Sequence, residues 1–246
     1  MKPALFLALS SLCGGATVAS EPCQLRVGWE EWYPLIHQQD GRLTGSEYQR
    51  VRQLADGAGC RLEFVEVPWA RALQLLRNGQ LDMLYGASRS AERETYARFS
   101  QAYRQERMVL VVRAQSSATT DLEEVSLAAW LDEPRSDGRP RRLGLIRGFH
   151  YGEALKSVLD SDKGTRLEVR WDEQLQQMLA LGRIDGYLVE LSVARAQQAA
   201  ADAAPMRLFT VGEHPREPMH LMFSLGVPVQ VVERFDAAIR LQRTRP

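Results

Sequence analysis

Two short stretches of the sequence carry side chains that could bind a charged small molecule. The first is YGASRSAERETYARFS, residues 85–100, in which Ser88 and Ser90 precede Arg93. Ser90 has the features of a helix N-cap, and Arg93 stands three residues later, where an acid or amide is usual. A cation in the first helical turn is unfavourable beside the positive end of the helix dipole unless an anion lies there. Arginine can supply a site for that anion, because its planar guanidinium donates two hydrogen bonds to one carboxylate.

The second stretch is IDGYLVE, which ends at Glu190. The candidate residues of both stretches also have plain structural interpretations. Arg93 could be a surface arginine beside neighbouring glutamates, an arrangement worth little to stability. Ser88 could bond its own turn, and Glu190 could be the solvated end of a strand. Residue types alone leave both interpretations open.

The sequence gives little indication of catalysis or of metal binding. It contains no G-x-S-x-G motif, no His–Glu metal motif, no P-loop and no Gly-rich dinucleotide fingerprint. Its four histidines show no metal-ligand spacing. We therefore expect no catalytic residue, no cofactor and no metal.

Length and composition are those of a globular protein. The chain has 246 residues, 45% of them hydrophobic, with 31 basic and 31 acidic side chains. This length allows one large domain or two modest ones. A formal net charge of zero gives no electrostatic reason to expect binding to nucleic acid or to an anionic membrane surface.

The first 20 residues have the pattern of a cleavable signal peptide: a basic start, a short apolar core and small residues before Glu21. We therefore expect residues 1–20 to be removed and the mature protein to be periplasmic. Cys23 and Cys60 then remain, and an even cysteine count in an exported chain suggests a disulfide. Each cysteine precedes a strand-like run, so two parallel neighbours would bring them together; two buried free thiols are the alternative.

Strand-like and helix-like runs alternate after Cys23. In order they are QLRVGW, SEYQRVRQLADGAG, RLEFVEV, PWARALQLLRNG and QLDMLYG. Strand, helix, strand, helix, strand predicts an α/β fold with a parallel sheet.

A second run repeats the plan of the first. RLEVRWDEQLQQMLALGRIDGYLV can be aligned with residues 61–86, so that Gly79 matches Gly182 and Asp82 matches Asp185. The two aspartates are expected to organise the turn before each strand. The repeat predicts two lobes of one design. Ligands of open parallel sheets bind outside the carboxyl ends of the strands, which predicts a cleft between the lobes.

These stretches resemble one protein family. LRVGWEEWYPL, DGRLTGSEYQRVRQLA, VEVPWARALQLLRNGQLDMLYGASRSAERETYARFSQAY, LGLIRGFHYGEAL and LGRIDGYLVELSVA are similar to the type II periplasmic solute-binding proteins of the polar amino acid ABC transporter class. The resemblance implies a two-lobe α/β fold with a mostly parallel sheet in each lobe, a hinge of two crossing strands and a ligand cleft. The implied division is 21–108 for the first part of lobe 1, 109–215 for lobe 2, and 216–246 for the return to lobe 1.

The resemblance also implies ligand-binding residues in the first lobe. Arg93 would hold the carboxylate of the ligand, with the Ser88 hydroxyl and the Gly86 backbone nearby. Tyr33 would stack on the ligand. Glu30 falls where many members place an acidic residue.

In the second lobe, Gly148, Phe149 and His150 fall on a loop that donates to the same carboxylate, and Glu190 falls where amino-acid binders grip the ammonium with aspartate. Two departures stand out: Glu190 is one methylene longer than aspartate, and Phe149 and His150 replace small hydroxyl residues.

The function implied by the resemblance is capture of a small, carboxylate-bearing, amino-acid-like solute by lobe closure, followed by delivery to an ABC permease. The protein would act as a monomer and without catalysis. Two alternatives stay open: an enzyme like the cyclohexadienyl dehydratases, which share this fold, or a ligand sensor for a separate receptor.

Overall fold

A computed structural model describes residues 23–114, 122–200, 204–214 and 216–243. The predicted signal peptide and part of the predicted surface loop after Ser116 lie outside the described residues. Two mixed α/β lobes each contain a six-stranded sheet.

The first lobe contains most of the N-terminal half of the chain. Its elements are β1 (Cys23–Trp29), β2 (His37–Gln39), β3 (Arg42–Thr44), α1 (Ser46–Gly57), β4 (Cys60–Glu66), α2 (Trp69–Arg77), β5 (Met83–Ser88), α3 (Ala91–Glu94), β6 (Ala97–Phe99) and β7 (Arg104–Glu106).

The chain then builds the second lobe and returns to the first. The second lobe consists of β8 (Met108–Arg113), β9 (Glu123–Val125), α4 (Leu127–Asp132), β10 (Arg142–Ile146), α5 (Glu153–Leu159), β11 (Thr165–Val169), α6 (Asp172–Ala180), β12 (Gly186–Glu190), α7 (Leu191–Ala199) and β13 (Met206–Val211). The returning elements are β14 (Glu217–Ser224) and α8 (Val229–Arg243).

Each sheet is mixed, whereas the sequence predicted mostly parallel strands. The first sheet has the order β4-β1-β5-β14-β6, with β7 also pairing with β14; the second has the order β11-β10-β12-β8-β13-β9. The strand–helix–strand runs are parallel as expected, because each helix returns the chain to the same end of the sheet. The antiparallel pairs come from β14 in the first sheet and β8 in the second. These two strands follow the passages of the chain between the lobes, and the alternation pattern did not reveal their direction.

The predicted disulfide is confirmed. Strands β1 and β4 are parallel neighbours with Cys23 opposite Cys60 in register, and the two sulfurs are bonded. The closed loop has a sequence separation of 37 residues. A cross-link of this span stabilises the fold by about 4 kcal/mol in the chain-entropy model.

The predicted repeat is visible as two matching ion pairs. In the first lobe, Asp82 accepts hydrogen bonds from the backbone N–H and the guanidinium of Arg26 at 2.8–2.9 Å. In the second lobe, Asp185 accepts the same set from Arg142 at 2.8–3.2 Å. Each arginine also donates to the carbonyl oxygen of a glycine in the turn before the aspartate: Arg26 donates to Gly79, and Arg142 donates to Gly182. The two aspartates therefore fix the start of equivalent strands, as the sequence predicted.

The packing of α2 on the first sheet is repeated by the packing of α6 on the second. A side chain at Gly28 in β1 would meet Leu84, Leu81 and Ala72, and one at Gly144 in β10 would meet Tyr187, Ile184 and Leu175. The absence of a Cβ at these two glycines lets a helix and a neighbouring strand approach closely. The carboxyl ends of β1 and β10 are thereby held at the cleft in the same manner.

The first-lobe core lies between α1, α8 and the sheet. Val51, Leu54 and Ala55 form the buried apolar face of α1, at the spacing of an amphipathic helix. Glu47 is also buried on α1, which the apolar pattern did not predict. Among the described residues, no helix is long and apolar enough to cross a membrane.

Candidate functional site

Arg93 is placed by the turn between β5 and α3. The hydroxyl of Ser90 accepts a hydrogen bond from the backbone N–H of Arg93 at 3.3 Å, so Ser90 is the N-cap that the sequence predicted. Nη1 of Arg93 donates to the carbonyl oxygen of Ser88 at 2.9 Å. The side chain therefore folds back over the end of β5, and Arg93 is only 5% exposed.

The guanidinium of Arg93 also reaches the second lobe. Nη2 donates to the carbonyl oxygen of Gly148 at 3.0 Å. Cζ lies 5.7 Å from the centre of the Trp69 ring, within range of a cation–π interaction. Within the described chain, no carboxylate lies at ion-pair distance from Arg93, and burial lowers the pKa of its guanidinium. The site therefore contains a buried cation that bonds only neutral acceptors.

Two further hydrogen bonds join the lobes beside Arg93. The hydroxyl of Ser88 donates to the carbonyl oxygen of His150 at 3.1 Å, and Nε1 of Trp69 donates to that of Gly148 at 3.1 Å. Gly148 has φ 80°, a left-handed conformation that glycine adopts readily. The loop of residues 148–150 thus closes the cleft by presenting carbonyl oxygens to the first lobe.

A cavity lies between the lobes beneath these contacts. Its walls are largely aromatic and apolar, and they include the buried side chains of Arg93 and Glu106. The lining residues are Gly28, Trp29, Glu30, Trp32, Val67, Trp69, Ala72, Tyr85, Gly86, Ser88, Arg93, Glu106, Met108, Phe149 and His150. Its volume is about 40 Å³, room for a few water molecules.

Aromatic rings surround this cavity at edge-to-face angles. Phe149 of the second lobe packs against Trp32, with 6.3 Å between ring centres, and against Trp69, with 5.8 Å. Because Phe149 inserts between two first-lobe tryptophans, lobe closure buries apolar as well as polar surface.

Glu30 follows β1 and lines the cavity. Its Oε2 accepts a hydrogen bond from the backbone N–H of Trp69 at 2.8 Å, at the start of α2. Burial raises the pKa of Glu30 to about 8, and the charges of Asp172 and Glu173 across the cleft act in the same direction. The Glu30 carboxyl therefore holds its proton near neutral pH.

A buried network of charged side chains lies next to the cavity, where the chain leaves β7 and enters the second lobe. Nε of Arg104 lies 3.0 Å from Oε2 of Glu47, and Nη2 of Arg104 lies 3.3 Å from Oε1 of Glu106. The hydroxyl of Tyr103 donates to Glu47 and accepts from the backbone N–H of Gly86 at 2.8 Å. Burial raises the pKa of Glu106 to about 7, although Arg104 opposes the shift.

Two titratable groups of the second lobe lie close to the cleft. Burial raises the pKa of Asp172, at the start of α6, to about 7, and the neighbouring Glu173 adds to the effect. Burial and the charge of Arg93 lower the pKa of His150. Burial therefore shifts both side chains toward their neutral forms.

Six of the nine ligand residues predicted from the sequence line the cavity. They are Glu30, Gly86, Ser88, Arg93, Phe149 and His150. Gly148 contacts the site through its carbonyl oxygen only. The Gly86 backbone N–H, expected near the ligand, donates to Tyr103.

Tyr33 and Glu190 do not line the cavity. Tyr33 is 57% exposed and packs edge-on against His37. Glu190 is the N-cap of α7, and its Oε2 accepts hydrogen bonds from the backbone N–H groups of Ser192 and Val193. Trp32, next to Tyr33 in the sequence, is the aromatic residue of this stretch that borders both the cavity and Phe149.

Glu106, Arg104 and Glu47 were not among the residues predicted from the sequence. One signal was present: Arg104 and Glu106 are separated by one residue in YRQERMVL, so they share a face of a strand that leads into an apolar run. Charged residues on the inward face of such a strand indicate a buried polar site.

The family model of the bacterial extracellular solute-binding proteins, family 3, matches residues 25–190. The chain belongs to this family. No curated protein matches it.

Solved structures with similar folds agree with the two-lobe architecture. Holo ArgBP from T. maritima is 18% identical, with 91% of this chain and 92% of that chain covered and a TM-score of 0.72. An ancestral arginine-binding protein bound to arginine is 20% identical, with 89% and 92% covered and a TM-score of 0.71. The ancestral amino acid-binding protein AncCDT-1, a precursor of cyclohexadienyl dehydratase, is 20% identical, with 89% of each chain covered and a TM-score of 0.69.

Proposed function

We propose that this protein captures a small, carboxylate-bearing, amino-acid-like solute between its lobes in the periplasm and delivers it to an ABC permease. The observation that carries the proposal is Arg93, a buried guanidinium at the cavity without a carboxylate partner among the described residues. A carboxylate would satisfy this charge with two charge-assisted hydrogen bonds, which are stronger than those to neutral carbonyls.

The contacts between the lobes support capture by closure. A cavity of about 40 Å³ is smaller than an amino acid, so binding one requires the lobes to separate or the lining side chains to move. Separation would release Arg93, Ser88 and Trp69 from the carbonyl oxygens of the 148–150 loop. A carboxylate could then bond the freed donors and stabilise a closed state around the ligand.

The choice of an amino acid among carboxylates rests on similarity. The solved structures with this fold include an ancestral arginine-binding protein bound to arginine and another bound to glutamine. The family is described as extracellular, in agreement with the predicted signal peptide and with a periplasmic site of action. Delivery to a permease follows the same similarity, since one of these structures is the substrate-binding protein of an amino acid ABC transporter.

The test is a thermal-unfolding screen of the mature protein against the standard L-amino acids, small dicarboxylates and polyamines. A ligand that binds only the folded state raises the unfolding temperature in a concentration-dependent way. We expect a rise with at least one L-amino acid and none with polyamines, which lack a carboxylate. A rise with polyamines alone would contradict the proposal.

Acid catalysis is the second candidate function. Glu30 and Glu106 line the same apolar cavity and have pKa values of about 8 and about 7, so each can hold a transferable proton at neutral pH. A dehydratase acting on prephenate or arogenate would need such an acid to protonate the leaving hydroxyl. Turnover of either compound, followed by absorbance and lost in Glu30→Gln or Glu106→Gln, would favour this function over capture.

A further inference from the structure

Among the described residues, Glu106 and Arg93 both line the cavity and are each only 5% exposed. They come from different elements, since Arg93 lies in α3 and Glu106 ends β7. Their charges are opposite when both are ionised, so the cavity presents a buried cation and a buried anion to the same space.

The surroundings of Glu106 hold an excess of acidic groups. One arginine, Arg104, serves both Glu106 and Glu47, and the charge of Glu190 acts on Glu106 as well. The three carboxylates share the charge of Arg104 and that of Arg50, which acts on Glu47, so one acidic group is left in excess, and an incoming cation would stabilise it.

Of these three acids, only Glu106 lines the cavity. Glu47 bonds Arg104 and the Tyr103 hydroxyl, and Glu190 caps α7. The cavity that Glu106 lines also has Trp32, Tyr85 and Phe149 in its walls. Aromatic faces stabilise cations in such a desolvated site.

We infer that Glu106, and not Glu190, holds the positively charged group of a zwitterionic ligand whose carboxylate lies at Arg93. The inference rests on the proposed function and makes it narrower: the ligand class is zwitterionic, and its ammonium is recognised from the hinge side of the first lobe. Glu106 is thereby a specificity-determining residue, which selects amino acids over simple carboxylates.

The test compares amino acids with their analogues that lack the ammonium group. The pairs are L-phenylalanine with hydrocinnamate, L-leucine with isocaproate and L-glutamine with glutaramate, measured by calorimetry against the wild type, Glu106→Gln, Glu190→Gln and Glu63→Gln. Glu63→Gln is the matched control, because Glu63 is exposed on β4. The pair whose amino acid binds the wild type most tightly is used for the comparison.

Glu106→Gln should weaken binding of the amino acid by roughly tenfold to hundredfold, because a hydrogen bond between two charged groups is lost. The deaminated analogue should lose less than about threefold, since it never carried the ammonium. Glu190→Gln should cost the amino acid less than Glu106→Gln does. Equal losses for both members of the pair, or a larger selective loss in Glu190→Gln, would overturn the inference.

If Glu106→Gln does not fold, Glu106→Asp replaces it. This variant keeps the charge but withdraws the carboxylate by one methylene, so it should weaken the amino acid and spare the analogue; equal effects would overturn the inference. If neither member of any pair binds the wild type, nor does any other L-amino acid, the proposed function itself is wrong. If the affinity for amino acids is the same in the wild type and in Glu106→Gln, the role of Glu106 is wrong but the proposed function still holds.

Discussion

Nη2 of Arg93 lies 3.0 Å from the carbonyl oxygen of Gly148, across the cleft from the first lobe to the second. The same guanidinium bonds Ser88 within its own lobe. The cation that would bind a ligand carboxylate therefore also holds the lobes together. A ligand carboxylate would replace the Gly148 carbonyl oxygen at this guanidinium, so ligand binding is coupled to the contact between the lobes.

Trp69→Phe should open the lobes of the ligand-free protein. The exchange keeps most of the ring but removes the N–H that donates to Gly148. A hydrogen bond of this kind contributes about 0.5–1.5 kcal/mol, enough to shift a two-state population severalfold. Small-angle X-ray scattering should give a larger radius of gyration than for the wild type. Trp171→Phe, the same exchange in the matching run of the second lobe, is the control; equal radii for Trp69→Phe and the wild type would contradict this prediction.

The raised pKa of Glu30 predicts lower stability at alkaline pH. Its pKa is about 8 in the folded protein and 4.5 in the unfolded reference, so the folded state binds the extra proton. Stability is then lost as pH rises toward and through 8, by about 1 kcal/mol between pH 7 and pH 9. The buried histidines have lowered pKa values and act below this window.

Urea unfolding of the wild type and of Glu30→Gln at pH 7 and pH 9 measures this effect. The decrease should be smaller in Glu30→Gln by about 1 kcal/mol, because the amide does not titrate. Glu106 and Asp172, with pKa values of about 7, contribute the decrease that remains. The same decrease in both proteins would show that another group is responsible.

Arg104→Met should destabilise the protein by about 3–5 kcal/mol at pH 8, because it leaves Glu47 and Glu106 buried without their cation. The loss should be smaller at pH 5, where both carboxyls can take up protons. Arg61→Met, at an exposed position, should change little at either pH. Chemical denaturation at the two pH values tests the difference, and an equal loss at both would contradict it.

Removal of the disulfide should lower stability without abolishing the lobe structure. The double change Cys23→Ser and Cys60→Ser releases a loop of 37-residue separation, which costs about 2–4 kcal/mol. Guanidinium unfolding of the double variant and of the reduced wild type should give similar midpoints, both below that of the oxidised protein. A midpoint that does not change on reduction would mean that the bond adds no net stability.

Local patterns predicted the elements around the site. The repeat of Gly79 and Asp82 at Gly182 and Asp185 predicted two lobes, because each aspartate fixes the start of an equivalent strand. Ser90 predicted the start of α3 and with it the place of Arg93. The cysteines predicted a neighbouring pair of strands. Each of these predictions starts from a pattern that can be recognised locally: a cap, a turn before a strand, or a cysteine before a strand.

The buried charges were harder to predict, because they depend on contacts between distant segments. The apolar residues of α1 are enough to predict which face of the helix is buried, and they give no reason to expect Glu47 on it. The burial of Glu47 is explained by its ion pair with Arg104, which lies 57 residues later in the sequence. The direction of a side chain also depends on which nearby hydrogen-bond donors it meets. Glu190 reaches the expected end of β12, where the free N–H groups of α7 bind its carboxylate.

Calorimetry of Arg93→Met tests whether this guanidinium holds the carboxylate of the ligand. The titrant is the L-amino acid that raises the unfolding temperature of the wild type most, and Arg89→Met is the control, since Arg89 is exposed and paired with Glu94. Loss of the buried cation should weaken binding by about a hundredfold or more, because the carboxylate is left desolvated and unpaired. Arg89→Met should bind like the wild type. An affinity of Arg93→Met equal to that of the wild type would show that Arg93 does not hold the carboxylate.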